Sequence, residues 1–353
     1  MNVFSCTVVP RTCDRGKAYV YFKGWVGRLF EFERARQEDD VVRVVLLASL
    51  NSGCVEGSAK ILGVCGQTVR NHLRRQNPQN FLQVNFELIN MMKRSGALSK
   101  PLTIAVDWHD EMYYGDPQSE GVIGTQPKKG SHYAYRFATA SVLLDGERLT
   151  LAAIPLAGMS LQEQVKQLLS QIFSLGVKIK LLLFDRGYFS SALINYLNWT
   201  SVNYVIQLPA VIRGLRGGED FTYTTCGHRR KKSEQATFRL VTVKRARYSG
   251  GNLKLFIFGT NTNLKPRKMR NLFRKRWGIE TSYRMIGKFH AKTTSKLYRI
   301  RKLYFYLAVV LYNLWIVLNY KHERKIPTYT LKLRITLSLV LSFLPDLEAY
   351  DVG

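Results

Sequence analysis

Acidic side chains are scarce in the second half of this chain. Lys and Arg together number 53 against 25 Asp and Glu over 353 residues, a formal net charge of +28. Between Arg186 and Lys325 the only acids are Glu219, Asp220, Glu234, Glu280 and Glu323, whereas the first half is nearly balanced. This imbalance speaks of partners rather than fold. A polyanion lying against the second half is expected, DNA or RNA first, because neutralised phosphates release their counterions. An anionic membrane surface is the competing partner.

Cysteine is also sparse. Cys6, Cys13, Cys54, Cys65 and Cys226 have spacings that fit neither a zinc site nor a disulfide framework, and Cys226-Gly-His228 is too thin for a metal site. Reduced thiols in a cytosolic protein are expected. The N-terminus lacks a charged start followed by an apolar run, so no signal peptide is expected. Long apolar runs are nearly absent. KLYFYLAVVLYNLWIVLNY, Lys302 to Tyr320, approaches the length of a bilayer span but carries four tyrosines and two asparagines between charged flanks. It reads as the buried central helix of a large domain, with a single membrane anchor as the alternative. Leu331 to Leu344 is shorter and broken by Lys332 and Arg334.

What is present is a basic stretch with one acid. Lys265 to Phe289 reads as one long helix, with Leu272, Phe273, Ile279, Tyr283 and Ile286 making an apolar stripe. From Lys265 to Lys302 there are fourteen Lys and Arg and one carboxylate, Glu280. Arg276 and Arg284 stand four residues either side of it, the spacing of helical ion pairs. Glu280 is therefore either their counter-ion or a metal ligand beside a polyphosphate track.

The rest of the chain supplies two companions. Leu102 to Val106 and Lys178 to Phe184 read as buried strands, and each runs directly into an aspartate, Asp107 and Asp185. Carboxyl ends of strands line crevices where ligands bind. Asp110 and Glu111 lie close to Asp107, but the position just after the strand favours Asp107. Carboxylate oxygens are hard donors suited to Mg²⁺ or Mn²⁺. Two such ions, about 3.5–4 Å apart, activate water and steady the leaving oxygen of a phosphodiester.

Between these residues, strands over His132 to Leu144 and Arg148 to Pro155 turn at Asp145-Gly146. A helix from Ser160 to Leu175 starts with a Ser160/Glu163 capping box. Another helix is capped by Ser190 or Ser191 and runs to Trp199, and a strand follows over Val202 to Leu208. The order implies a mixed sheet flanked by helices. Residues 211–262, with a basic knot His228 to Lys232, read as a β-rich insertion.

Near the start, CVEGSAKILGVCGQTVRNHLRR, Cys54 to Arg75, has helix-turn-helix form. Its second helix begins near Gly66, with Val69 and Leu73 inward. Gln67, Thr68, Arg70, Asn71 and Arg74 face out, residue types that read base edges and phosphates. Helix continues over Gln76 to Gly96 with Phe81, Leu82, Phe86, Ile89 and Met92 as its apolar positions, and a boundary falls near residue 97.

IAVDWHDEMYYG, LLLFDRGYFSSALINYL and FRKRWGIETSYRMIGKF, followed by LYFYLAVVLYNLW, resemble a DDE transposase of insertion sequences. The likeness is to the family-four group with a tyrosine-arginine-glutamate-lysine signature, in its archaeal insertion-sequence type, over roughly residues 100–320. It implies a ribonuclease-H-like α/β core with a β-rich insertion, which follows the N-terminal helical domain read above. It also implies that Asp107, Asp185 and Glu280 are the metal-binding catalytic triad and that Arg276 is the signature arginine; with the reading above, two Mg²⁺ or Mn²⁺ ions and DNA contacts by Arg276, Arg284 and Lys288 are expected. The signature tyrosine falls on Phe273, and the signature lysine position holds Gly287, with Lys288 one residue later. One residue turns a helical side chain by about 100°.

The expected organisation is thus an N-terminal DNA-binding region (1–97), a core in two parts (98–210 and 263–325) around the insertion (211–262), and a tail (326–353). The expected activity is metal-dependent cleavage and strand transfer on double-stranded DNA, at element ends and target, by a cytoplasmic, nucleoid-associated homodimer without membrane attachment. A nuclease lacking strand transfer and a helix-turn-helix regulator are the alternatives. Among lesser candidates, His109 and His132 read as structural or DNA contacts, Tyr188 as packing beneath the site, and Gly187 as the hinge of a sharp turn. Trp199 and Trp277 read as core tryptophans before base-stacking ones.

Overall fold

A computed structural model of the chain describes residues 15–32, 35–128, 130–144, 146–209, 215–225, 234–245, 254–276, 278–320 and 325–342. The chain divides into two compact units, one of Met1–Ser95, Tyr114–Gly121 and Ser282–Gly353, the other of Gly96–Tyr113 and Val122–Thr281.

The first unit opens with five helices, α1 (Arg15–Gly27), α2 (Ala35–Leu50), α3 (Val55–Ile61), α4 (Gly66–Arg75) and α5 (Asn80–Arg94). In α4, Val69 and Leu73 lie one turn apart and are buried, while Gln67, Thr68, Asn71 and Arg74 are exposed and Arg70 is half-buried. The helix-turn-helix pattern thus appears at the expected residues, turned at Gly63, whose φ is +63°. In α5 the inward stripe is Phe81, Val84, Leu88, Ile89 and Met92; of the apolar positions named above, Leu82 and Phe86 are exposed.

The second unit is built on one sheet, formed among the described residues by β1 (Leu102–Tyr113), β2 (Ile123–Lys128), β3 (Ser131–Leu144), β4 (Glu147–Leu156), β5 (Ile179–Phe184), β6 (Tyr204–Gln207), β7 (Asp220–Thr224), β8 (Thr237–Arg245) and β9 (Lys254–Thr260). Their order is β2-β3-β1-β5-β6-β9-β8-β7, with β4 also on β3. Strands β1, β5 and β6 are parallel, and β3 and β9 join them antiparallel. Strand β3 is the hub of the first four: it pairs antiparallel with β1 along one edge and with β2 and β4 besides. The run LLLF in β5 is buried, as a strand in the parallel centre of a sheet must be. The three strands of the expected β-rich insertion are not a separate layer: β9 hydrogen-bonds to β6 and carries β8 and β7 outward.

Helices α6 (Leu161–Ser174) and α7 (Ser191–Trp199) flank this sheet. The Ser160/Glu163 capping box is formed, with Ser160 Oγ accepting from the Glu163 amide at 3.2 Å and Glu163 accepting from the Ser160 amide at 2.9 Å. The basic stretch forms two helices, α8 (Pro266–Arg276) and α9 (Gly278–Gly287), where one was expected. Trp277, between them, lies outside the described residues.

Helices α10 (Tyr298–Asn319) and α11 (Thr328–Leu341) complete the first unit. Among the described residues α10 is the one helix long and apolar enough to cross a membrane, and 94% of its most apolar window is buried inside the protein. Helices α1, α4 and α5 pack around it. Phe81 stacks on Tyr306 at 4.3 Å, and Asn313 Nδ2 donates to Asn85 Oδ1 at 3.1 Å. A helix apolar all round requires such cover on every side.

Candidate active site

Register explains how two distant aspartates meet. Strands β1 and β5 are parallel, with Val106 opposite Phe184. The next residues, Asp107 and Asp185, therefore sit level on neighbouring strands about 4.8 Å apart, and level residues of parallel strands project to the same face. The expectation that β1 ends before Asp107 is corrected here. Its parallel partner stops, but β1 continues to Tyr113 against β3, with Asp107 opposite Thr139. Asp107 is thereby fixed by a continuous strand, whereas Asp185 leads into a 3₁₀ turn over Arg186–Tyr188.

Arg276 spans the pair. Its Nη1 donates to Asp107 Oδ2 at 2.9 Å, and its Nη2 lies 3.2 Å from Asp185 Oδ1. Arg276 is 7% exposed, and its guanidinium rests 4.9 Å from the ring centre of Phe273, which in turn packs on Phe258 of β9. Its Nε is buried without an acceptor among the described residues. The residue expected to face DNA is thus the internal counter-ion of two carboxylates.

Burial raises the Asp107 carboxyl from the usual 3.8 to about 6, with Asp185 adding to the rise, against the lowering by Arg276 and the Trp108 amide. A folded-state value above the unfolded one means that protonation stabilises the fold. That stabilisation is complete below pH 3.8 and is lost as pH rises through 6. Above pH 6 the ionised Asp107 costs about 3 kcal/mol, at about 1.4 kcal/mol per pH unit. Asp107→Asn, without divalent ions at pH 7.5, should stabilise the protein by about 1–3 kcal/mol. Denaturant melts of both proteins should show this gain shrinking to nothing as pH falls from 6 to 4; a constant gap would refute the origin in charge.

Next in β1, on the face opposite Asp107, is Trp108. Its indole meets Tyr188 at 4.7 Å and the Arg136 guanidinium at 4.9 Å. Arg136 Nε and Nη2 donate to Asp110 at 2.5 and 2.9 Å, and Thr125 Oγ1 adds a third bond at 2.7 Å. Burial acts to raise the Asp110 carboxyl, but these partners outweigh it and hold it low. Asp110 is three residues from Asp107, hence on the opposite face of β1, and Glu111 is about 13 Å further along. Arg136 gave no signal in the sequence, since only the β1–β3 register brings it to Asp110.

Gly187 has a different task from the one expected. Its φ is not positive. A Cβ there would lie 2.5 Å from the Trp108 indole. Gly187→Ala should therefore push Trp108 away and destabilise by about 1–3 kcal/mol, read as a lowered melting midpoint, with Asp107 disturbed next door. Tyr188 is fully buried, as expected of a packing residue, and its hydroxyl is held well above the usual phenol range by burial and by the Asp107 charge.

Of the third acid, the backbone alone is described: Glu280 is in α9, and its side chain lies outside the described residues. Arg284 and Lys288 are exposed. Lys332 donates to the Lys288 carbonyl at 2.8 Å, and burial followed by the Lys288 charge holds its own ammonium low. Trp199 is 82% exposed, against the core position expected for it, because it ends α7 at the surface. His132 is exposed and His109 half-buried. Cys54 and Cys65 are free thiols, while Cys6, Cys13, Cys226 and the knot His228 to Lys232 lie outside the described residues.

A family model for the transposase DDE domain matches residues 99–314, which span both aspartates, Arg276, α9 and most of α10. The chain belongs to this transposase family. Its fold is similar to that of a piggyBac transposase, solved by cryo-electron microscopy in a synaptic complex with hairpin DNA. The TM-score is 0.57 at 12% identity, covering 99% of this chain and 82% of that one. No curated protein sequence matches the chain. The mixed sheet is therefore the ribonuclease-H-like one expected, and the enzyme is a DNA transposase. Transposases of this family act with divalent metal ions. Asp107 and Asp185 of the transposase fit such an ion. They are level, hard-oxygen donors, and the place between them already holds a positive charge, that of Arg276.

Proposed function

We propose that Asp107, Asp185 and Glu280 form the catalytic triad and together hold two Mg²⁺ or Mn²⁺ ions. The observation that carries this reading is the level placement of the two aspartates on adjacent parallel strands, sharing one guanidinium. When bound, the ions would supply an activated water and stabilise the leaving oxygen at a phosphodiester. The chain's own part is to fix the donors: β1 and β5 set their spacing, and Trp108 packs against Gly187 behind them. Arg276, which pairs with both carboxylates, would be free to meet a DNA phosphate where an ion took its place.

The substrate in this reading is double-stranded DNA, first the terminal inverted repeats of an insertion sequence, then target DNA attacked by the freed 3′ hydroxyl. The exposed face of α4, with Gln67, Thr68, Arg70, Asn71 and Arg74, reads the ends, and Arg284 and Lys288 add phosphate contacts. We assign the enzyme to the family-four group of archaeal type, acting as a homodimer in the cytoplasm on nucleoid DNA, with no membrane role for α10. Region 1–97 serves DNA binding, 98–210 and 263–325 catalysis, 211–262 extends the core, and 326–353 closes the chain.

The test is an assay on labelled element ends with Mn²⁺. Cleavage leaving a 3′ hydroxyl, and joining of a pre-cleaved end to a plasmid, are the expected products. Cleavage without joining would leave a nuclease, and binding with neither would leave a regulator.

A further inference from the structure

The helix-turn-helix does not present its outer face to solvent alone. Within the first unit a cleft of about 630 Å³ lies against it. One wall is α4, through Gln67, Arg70 and Arg74; the opposite wall is the segment Lys292–Ser295. The floor is apolar, with Leu73, Ile300 and Tyr304. The opposite wall is firmly tied. The Lys292 amide donates to Gly53 O at 2.7 Å, so that Cys54 and Lys292 form a parallel bridge just before α3. The Ser295 amide bonds Thr293 Oγ1 at 3.0 Å, and Arg301 Nε bonds Ser295 O at 2.9 Å. Arg299 Nη1 reaches across to the Arg74 carbonyl at 3.2 Å. A wall ordered before binding loses little entropy on binding.

Three cations line this cleft, Arg70, Arg74 and Lys292, against one carboxylate, Glu56. Glu56 pairs with Arg70, which also donates to Gln67, and Gln67 Nε2 donates to Asn71 Oδ1 at 2.9 Å. The reading face of α4 is therefore occupied by its own partners, with Glu56 at the head of the chain of bonds.

We infer that this cleft is a clamp for the sugar-phosphate backbone of one DNA strand. In it Lys292 and the Thr294 hydroxyl hold phosphates opposite Arg74, and Glu56 masks Arg70 until DNA displaces it. The inference rests on the reading of α4 as a DNA-contacting helix. Hydroxyls and cations on a fixed wall are the groups that grip phosphate without reading sequence, and the apolar floor suits the sugar face of a strand. A small free anion would have no use for that floor.

The experiment is titration of the full-length protein into a fluorescein-labelled duplex of random sequence at several salt concentrations. Phosphate contacts do not depend on sequence, so the element's ends are not needed. Lys292→Gln should weaken binding about fivefold and reduce the slope of log affinity against log salt by about 0.9. Thr294→Ala should weaken it less and leave the slope unchanged. Glu56→Gln should tighten binding about two- to fivefold, a gain that a merely structural Glu56 would not produce. Melting curves of each variant report folding separately. A wild-type protein that binds, with Lys292→Gln matching it in affinity and slope, overturns the clamp alone. A wild-type protein that does not bind the duplex overturns the reading of α4 and the clamp with it.

Discussion

Asp185→Asn is expected to lower both cleavage and strand joining by about three orders of magnitude or more while leaving the fold and DNA binding intact. Asparagine has the shape of aspartate but one fewer anionic oxygen, and metal-held phosphoryl chemistry depends on that charge. Loss of a ligand worth several kcal/mol of transition-state stabilisation is about tenfold in rate for each 1.4 kcal/mol. The fold should tolerate the change. Asp185 is the more open of the pair, its side chain 38% exposed against 16% for Asp107, and its bond to Arg276 is the longer one. Single-turnover rates on pre-formed DNA complexes, with calorimetric Mn²⁺ titration alongside, separate the chemistry from assembly. Wild-type rates in Asp185→Asn would remove Asp185 from the site, whatever the fate of the rest.

Arg276→Ala should have the largest effect on stability. Two carboxylates on one face of one sheet, one of them nearly buried, would lose their shared counter-ion. Breaking a buried pair by removing one partner costs about 3–5 kcal/mol, because the remaining charge has nothing to meet. The loss should be largest above pH 6, where Asp107 is ionised, and should recede on acidification. Millimolar Mg²⁺ or Mn²⁺ should restore much of it, by binding the folded state alone. The same variant should bind Mn²⁺ more tightly than wild type without DNA, since ion and guanidinium compete for the same oxygens. Melting midpoints across pH and metal concentration give both answers. Equal Mn²⁺ affinities in the two proteins would refute the competition.

Much of this site could be read before any coordinates. Buried strands running into Asp107 and Asp185 were visible as apolar runs, and the Ser160/Glu163 cap and the α3–α4 pattern as local spacing. Local chemistry decides such features. What escaped depends on contacts between distant residues. The extension of β1 beyond Asp107 is set by its antiparallel partner β3, and the joining of β9 to β6 by a pairing about fifty residues apart in the chain. The real task of Gly187 shows only when Trp108 is seen above it. The choice of Phe81 over Leu82 as the buried residue of α5 follows from the stack with Tyr306 of α10.

The seam between α5 and α10 has a bearing on how the protein is made. Asn85 and Asn313, bonded in the buried seam between α5 and α10, are 228 residues apart. At about 5–20 residues per second, a ribosome needs about 10–50 seconds to pass from one to the other. Throughout that interval the nascent N-terminal helices lack the central helix on which they pack, while the whole sheet is being synthesised between them. Completion of the first unit is therefore tied to translation through α10, and a product truncated before α10 would carry the sheet without a finished helical unit.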